Sequence, residues 1–223
     1  MIGAEPLIRW SWIFNHKQII ASRLGEHVLL TLIAVTIGAA ISIPLGILAH
    51  RRRRLYPPIT WVAGFVYTIP SLALFVLLIP VTGLTITTVE IGLVSYTLLI
   101  LIRNVVSGLD SVPSDVKEAA RGMGFSNGQI LLRVEIPLAF PVIMAGIRVA
   151  TVSTIGLVTV GALIGKGGLG QFILDGLQTF FNTEILLGAV LSLVLAFAAD
   201  GLLLVAQRLV TPWAQAATSR TAS

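Results

Sequence analysis

The 223-residue chain contains no cysteine, which excludes a disulfide scaffold or a zinc ribbon. Charge is scarce as well. Asp, Glu, Lys and Arg make up 11% of the residues, less than half of the ~25% usual in soluble domains, and a water-facing surface cannot be covered with so little. Aromatic residues are few, at 7%. The three histidines, His16, His27 and His50, are dispersed; none has a metal-ligand spacing, and each reads as an interfacial residue. Carboxylates are too sparse in the apolar runs for paired acid–base chemistry. An integral membrane enzyme would cluster His, Asp, Glu or Ser at one depth, and no such cluster is visible. No cofactor and no metal is expected. Hydrophobic residues make up 56% of the chain, with 21 glycines of the kind that let membrane helices approach closely. The composition is that of an integral membrane protein.

The net charge of +5 does not point to nucleic acid. The basic residues lie between long apolar runs and form no face of a soluble reading module. The run Arg51-Arg52-Arg53-Arg54 reads as a topology determinant and an anchor to lipid headgroups.

A membrane helix needs about 20 mostly apolar residues. Residues 28–49 carry no charge and form a clear first span. Residues 55–89 are also uncharged but too long for one helix, so 58–80 is assigned to the second span and Val81–Val89 to a turn. Pro70 lies within that second span, where the missing N–H predicts a kink. Further spans are expected over 91–109, 138–164 and 184–207. The first 26 residues hold Trp10, Trp12 and several charges, which suits a helix lying at the interface; they lack the apolar core and cleavage site of a signal peptide. The whole is expected to be one transmembrane domain.

Placing the four arginines in the cytoplasm puts eleven of the 15 Lys and Arg on that side or near it. This asymmetry favours an outside N-terminus and a cytoplasmic C-terminus. The polar segment 110–137 between spans three and four is then cytoplasmic.

That segment carries two short helix signals. Ser114 is placed to cap the first helix, with Asp115 in its first turn. Gly122 and Gly124 can end it. Ser126 and Gln129 have capping-box spacing, with Phe125 and Ile130 as the hydrophobic staple. Pro137 suits the first turn of the following span. The expected order is helix, glycine turn, helix, span.

Glu118-Ala119-Ala120, then three residues, Gly124, nine residues and Val134-Glu135-Ile136-Pro137 resemble the EAA loop of permease subunits of ATP-binding-cassette importers. Val134 and Ile136 stand where that family's pattern has Ile and Leu, with bulk conserved. The resemblance extends from about Val28 to Pro212. Tyr67-Thr68-Ile69-Pro70-Ser71-Leu72-Ala73, the segment Gly165 to Gly170 and the stretch closing at Pro212 are similar to the osmoprotectant permeases, which import glycine betaine, carnitine and choline. The resemblance implies an all-α integral membrane fold of type I importer permease class, with five transmembrane helices plus cytoplasmic coupling helices. It implies that Glu118, Ala119, Ala120, Gly124, Val134, Ile136 and Pro137 form the element that docks on an ATPase, and that Tyr67, Pro70 and Ser71 lie near the translocation path. The implied partners are two ATP-binding subunits, a second permease subunit, identical or similar, an external solute-binding protein and the lipid bilayer of the inner membrane. The subunit itself is not expected to be an enzyme. A permease of the same architecture for methionine or another amino acid is the alternative.

Other constellations carry less. Gly165-Lys166-Gly167-Gly168-Leu169-Gly170 formally matches a dinucleotide fingerprint, but it follows a span and not a strand. It reads as an external turn or re-entrant segment made flexible by glycine, or as a plain loop. No phosphate-binding loop for ATP is present. Arg103, Arg148 and Asp200 are charges within the spans; an ion pair between Arg148 and Asp200 is expected, with snorkelling as the other outcome for the arginines. Quaternary ammonium groups are held by aromatic cages. Trp61, Phe65 and Tyr67 are the candidates here, so a membrane site is expected to be weak or absent.

Overall fold

The computed structural model describes residues 7–212. Arg220, counted above among the cytoplasmic basic residues, and residues 1–6 lie outside them. Ten α-helices follow one another along the described residues: α1 Trp10–Asn15, α2 Lys17–Arg51, α3 Tyr56–Thr68, α4 Ser71–Thr82, α5 Ile86–Asp110, α6 Ser114–Gly122, α7 Asn127–Ile130, α8 Ile136–Val160, α9 Gly170–Thr179 and α10 Asn182–Val210. Among the described residues there is no strand. Four helical stretches are long and apolar enough to cross a membrane, and the bent pair α3–α4 makes up to five.

Several boundaries differ from the sequence expectation for identifiable reasons. The first membrane helix begins at Lys17, because no proline or glycine pair separates the charged N-terminal turns from the apolar run. The second span is not kinked but broken. The chain turns through 96° between α3 and α4, and Pro70 sits outside both helices at φ −55°, ψ 135°. Proline drives its predecessor, Ile69, out of helical geometry as well. The turn expected over Val81–Val89 is shorter, because α5 starts at Ile86. Gly83 supplies a left-handed φ of 71°, and the Thr85 hydroxyl accepts from the Thr88 backbone N–H at 3.4 Å.

The chain clusters into two compact units, Met1–Ala34 with Ile69–Val94 and Thr151–Ala198, and Val35–Thr68 with Ser95–Ala150 and Ala199–Ser223. The first has a core of Leu30 and Ala34 from α2, Phe75 from α4, Val89 and Leu93 from α5, and Val158 from α8. Trp12 of α1 stacks on His16 and meets Phe172 and Phe181 edge to face. The second unit holds two apolar clusters. One joins Val105 and Leu109 to Leu131, Ala139 and Ile143. The other joins Ala63 of α3 to Leu99 and Ile102 of α5. Within this unit α2 and α5 lie so close that a Cβ on Gly38 would stand 1.9 Å from the Thr97 hydroxyl oxygen. Small residues permit such approach where no hydrophobic effect drives helices together.

Candidate functional site

The segment from Ser114 to Pro137 is built largely from local rules. Pro113, not Ser114, precedes the first helical residue of α6, and no side chain caps that end. Proline's fixed φ and missing N–H place it well there, so Ser114 is already helical and its expected capping role is not found. The other end is closed fully. The Gly124 N–H donates to the Arg121 carbonyl at 2.9 Å and the Phe125 N–H to the Ala120 carbonyl at 3.1 Å. Together these satisfy carbonyls that a helix end otherwise leaves open. Gly124 adopts φ 84°, a left-handed conformation that a β-branched residue strongly disfavours. The capping box is present in both halves: Ser126 N–H donates to Gln129 Oε1 at 2.8 Å, and Gln129 N–H to Ser126 Oγ at 3.4 Å.

Glu118 and Ala119 are exposed on α6, as is Met123 just beyond it, while Ala120 is buried against its own chain. Val134, Ile136 and Pro137 are half-buried and lie on a continuous helical stretch. Between α7 and α8 the backbone widens into a π-helical turn, Leu131–Glu135. Pro137 accounts for the distortion. It cannot donate to the carbonyl of Arg133, and its ring crowds that carbonyl, so the preceding turn opens. The second short helix and the span, expected as successive helices, are therefore continuous. From Asn127 to Ile164 the chain is one helical stretch.

A polar cluster ties this segment to the ends of two long helices. His50, near the end of α2, donates through Nδ1 to Asp110, the last residue of α5, at 2.6 Å. Arg53 pairs with the same carboxylate. His50 Nε2 stands 3.7 Å from Glu135 Oε1, and Lys117 Nζ on α6 stands 3.8 Å from that oxygen. Arg51 donates to the Asn127 carbonyl at 3.3 Å. Sequence reasoning placed His50 at the interface and missed this knot, because its members are scattered over the chain.

Within the apolar segments, Arg148 on α8 and Asp200 on α10 form a two-pronged ion pair at 2.8 and 2.7 Å. Among the described residues Arg103 on α5 has no ion-pair partner. Tyr67 is exposed near the end of α3 and meets Tyr96 edge to face, Pro70 occupies the break, and Ser71 opens α4. Two other residues escaped the sequence reading. Glu90 lies inside α5 at 9% exposure, and neither carboxyl oxygen has a hydrogen-bond partner; it stands between the expected turn and the expected third span and was counted in neither. His27, read as interfacial, is fully buried. Its Nε2 donates to the Ile155 carbonyl at 3.0 Å and its Nδ1 accepts from the Leu169 N–H at 3.2 Å, so both ring nitrogens are used structurally.

The glycine-rich segment behind Leu169 is not a loose loop. A Cβ on Gly168 would stand 2.7–2.9 Å from atoms of His27, and one on Gly170 would stand 2.3–2.7 Å from the Thr159 backbone. Gly167, Gly168 and Gly170 serve close packing, contrary to the expected flexibility, whereas Gly165, with nothing within 4 Å of its Cβ position, supplies a left-handed φ of 79°.

Among the described residues no group of His, Cys, Asp and Glu could hold a metal ion. The arrangement is suited to transmit movement: an exposed short helix, closed by its own caps and fastened by charges to long apolar helices. Known proteins are similar to the chain over most of its length. Residues 42–214 match the family described as "Binding-protein-dependent transport system inner membrane component". The chain is 37% identical to the glycine betaine/carnitine/choline transport system permease protein OpuCB of Bacillus subtilis, over 85% of this chain and 88% of that one. It is 37% identical to the osmoprotectant import permease protein OsmW of Salmonella typhimurium, over 90% of this chain and 96% of that one. Among solved structures, an inward-facing conformation of the MetNI methionine ABC transporter superposes with a TM-score of 0.81 at 23% identity, covering 88% of this chain and 98% of that one. The last likeness concerns the fold.

Proposed function

The chain belongs to the family of binding-protein-dependent transport system inner membrane components, and from this premise we propose that it is the permease subunit of an ATP-driven importer of quaternary ammonium osmoprotectants. The observation that carries the cargo is the 37% identity, over most of both chains, to a glycine betaine/carnitine/choline permease. The amino-acid alternative has shared fold alone behind it, with a methionine transporter at 23% identity and an amino acid ABC transporter at 17%.

In this reading α6 docks in a groove of the ATPase through Glu118, Ala119 and Met123, all exposed. Ala119 lets the partner approach closely, and Glu118 takes a charged or backbone donor. Movement of the docked ATPase passes along two routes. One is the helical stretch from Asn127 to Ile164, which α6 joins through the hydrogen-bonded turn at Gly124 and which runs into the span without a further break. The other is the cluster of His50, Asp110, Lys117 and Glu135, which pulls on α2 and α5. Rigid, fastened elements convey displacement with little slack. The working assembly contains two ATPase subunits, a second permease and an external binding protein that makes the main selection of solute. Tyr67, Pro70 and Ser71 stand beside the α3–α4 break, where non-helical backbone at membrane depth has to be sheltered by protein or line a cavity. The basic asymmetry of the sequence supports an outside N-terminus, with the four arginines and α6 in the cytoplasm.

The test is uptake into vesicles reconstituted with the ATPase and the binding protein. ATP-dependent accumulation of radiolabelled glycine betaine, carnitine or choline is expected; accumulation of methionine alone would replace the cargo. Orientation is read by single cysteines at Ser114 and Gln178 in the cysteine-free background. An impermeant reagent added to intact cells should label the second and spare the first.

A further inference from the structure

The aromatic residues weighed above as cage candidates lie on one concave surface of the second unit. Tyr56, Trp61, Gly64, Phe65 and Tyr67 of α3 and Arg103 of α5 line a groove of about 650 Å³, within the range of small-molecule sites. Trp61 and Phe65 follow one another by a helical turn, with ring centroids 6.1 Å apart and planes 18° from parallel. They present a continuous π surface, and both are strongly exposed, at 72% and 62%. Between them Gly64 leaves the groove open: a Cβ there would meet nothing within 4 Å. The glycine is thus not required by packing. Arg103 lies within an apolar helix, is exposed, and has no acidic partner among the described residues.

An aromatic surface attracts a cation, and quaternary ammonium heads are its usual ligands. A guanidinium beside it would repel a simple cation. The combination therefore selects a molecule with both charges: a trimethylammonium head for the rings and a carboxylate for the fork-shaped guanidinium, which binds carboxylates through paired hydrogen bonds. Such a ligand also supplies the anion that an arginine within a membrane span otherwise lacks. We propose that this groove is a low-affinity binding site for zwitterionic trimethylammonium carboxylates, glycine betaine and carnitine, and that it discriminates against choline, which has no carboxylate. The inference rests on the osmoprotectant reading given above.

The experiment is equilibrium binding of radiolabelled glycine betaine and choline to the purified permease–ATPase complex in nanodiscs, without the binding protein. The wild-type complex should bind glycine betaine in the millimolar range and choline at least about tenfold more weakly, the loss expected for one charge-assisted hydrogen-bonding group. Arg103→Gln should bring glycine betaine down to the level of choline. Gly64→Leu, which fills the groove without disturbing a neighbour, should abolish saturable binding of glycine betaine at unchanged yield of monodisperse complex. Equal binding of both solutes by the wild type overturns the proposal. So does unaltered betaine binding in Arg103→Gln or Gly64→Leu; in that case the aromatic and arginine residues serve only as an interfacial anchor. The two readings fail separately. If the complete wild-type transporter takes up none of the three osmoprotectants, the assigned cargo is wrong. If uptake is normal and the nanodisc complex shows no saturable binding, only the groove is wrong.

Discussion

The helical interruption after α5 and the one after α8 use the same amino acid in opposite ways. Around α6 and α7, a Cβ on Gly122, Gly124 or Gly128 would meet nothing within 4 Å. Around α9, a Cβ on Gly161, Gly167, Gly168 or Gly170 would meet another part of the backbone or His27 at under 3.0 Å. The first segment takes its shape from its own hydrogen bonds, two helix-end bonds and a capping box, and leaves its outer surface free. The second takes its shape from what it packs against, with Leu169 held by a buried histidine. If the first segment docks on a partner as proposed, a surface already formed by local rules meets that partner without an ordering cost. A segment that closes a membrane unit has its surroundings already, and can depend on them.

Glycine substitutions are the strongest way to break this contrast. Gly170→Val should prevent folding, because the Thr159 backbone at 2.3–2.7 Å cannot retreat as a flexible side chain would; the cost should exceed the ~1–3 kcal/mol usual for overpacking. The yield of monodisperse protein after detergent extraction measures it. His27→Ala should come next. It leaves the buried Leu169 N–H without its acceptor, a loss of about 1–3 kcal/mol, visible as a lower melting temperature in detergent. Gly124→Val should cost only the left-handed backbone strain, roughly 1–2 kcal/mol, and should leave the spans folded. Its effect should instead appear as a fall in solute-stimulated ATP hydrolysis and uptake, as should that of the charge reversal Glu118→Lys. Full uptake by both variants at normal expression would remove α6 from the coupling mechanism. The smallest change is Ser126→Ala, at about 1 kcal/mol for a lost cap. Hydrogen exchange should quicken at residues 127–130 and nowhere in the spans.

Legibility from sequence followed the same division. The capping box at Ser126 and the glycine turn at Gly124 were read correctly because each is decided within a few residues. Ser114 was misassigned by one position, since Pro113 and a serine can both open a helix and only the backbone reveals which did. Pro70 announced a disturbance, but whether a proline kinks or breaks a helix depends on what neighbouring elements can satisfy. Glu90 was overlooked because the limits of α5 depend on the Gly83 turn and the Thr85 cap, which together extend the helix past it. His27 looked interfacial because its partners, Ile155 and Leu169, are far away in the chain.

By itself the sequence determined that this is a membrane protein, how many apolar segments it contains, and where an exposed, self-capped segment lies among them. These properties depend on composition, run length and spacing, and all three are local. Only the tertiary structure decided that Arg148 finds Asp200, that His50 joins Asp110 beside Glu135 and Lys117, that Gly167 and Gly168 before α9 are packed tight, and that Arg103 shares a groove with the rings of α3. Each of these is a meeting of residues distant in the chain, settled by how the helices pack.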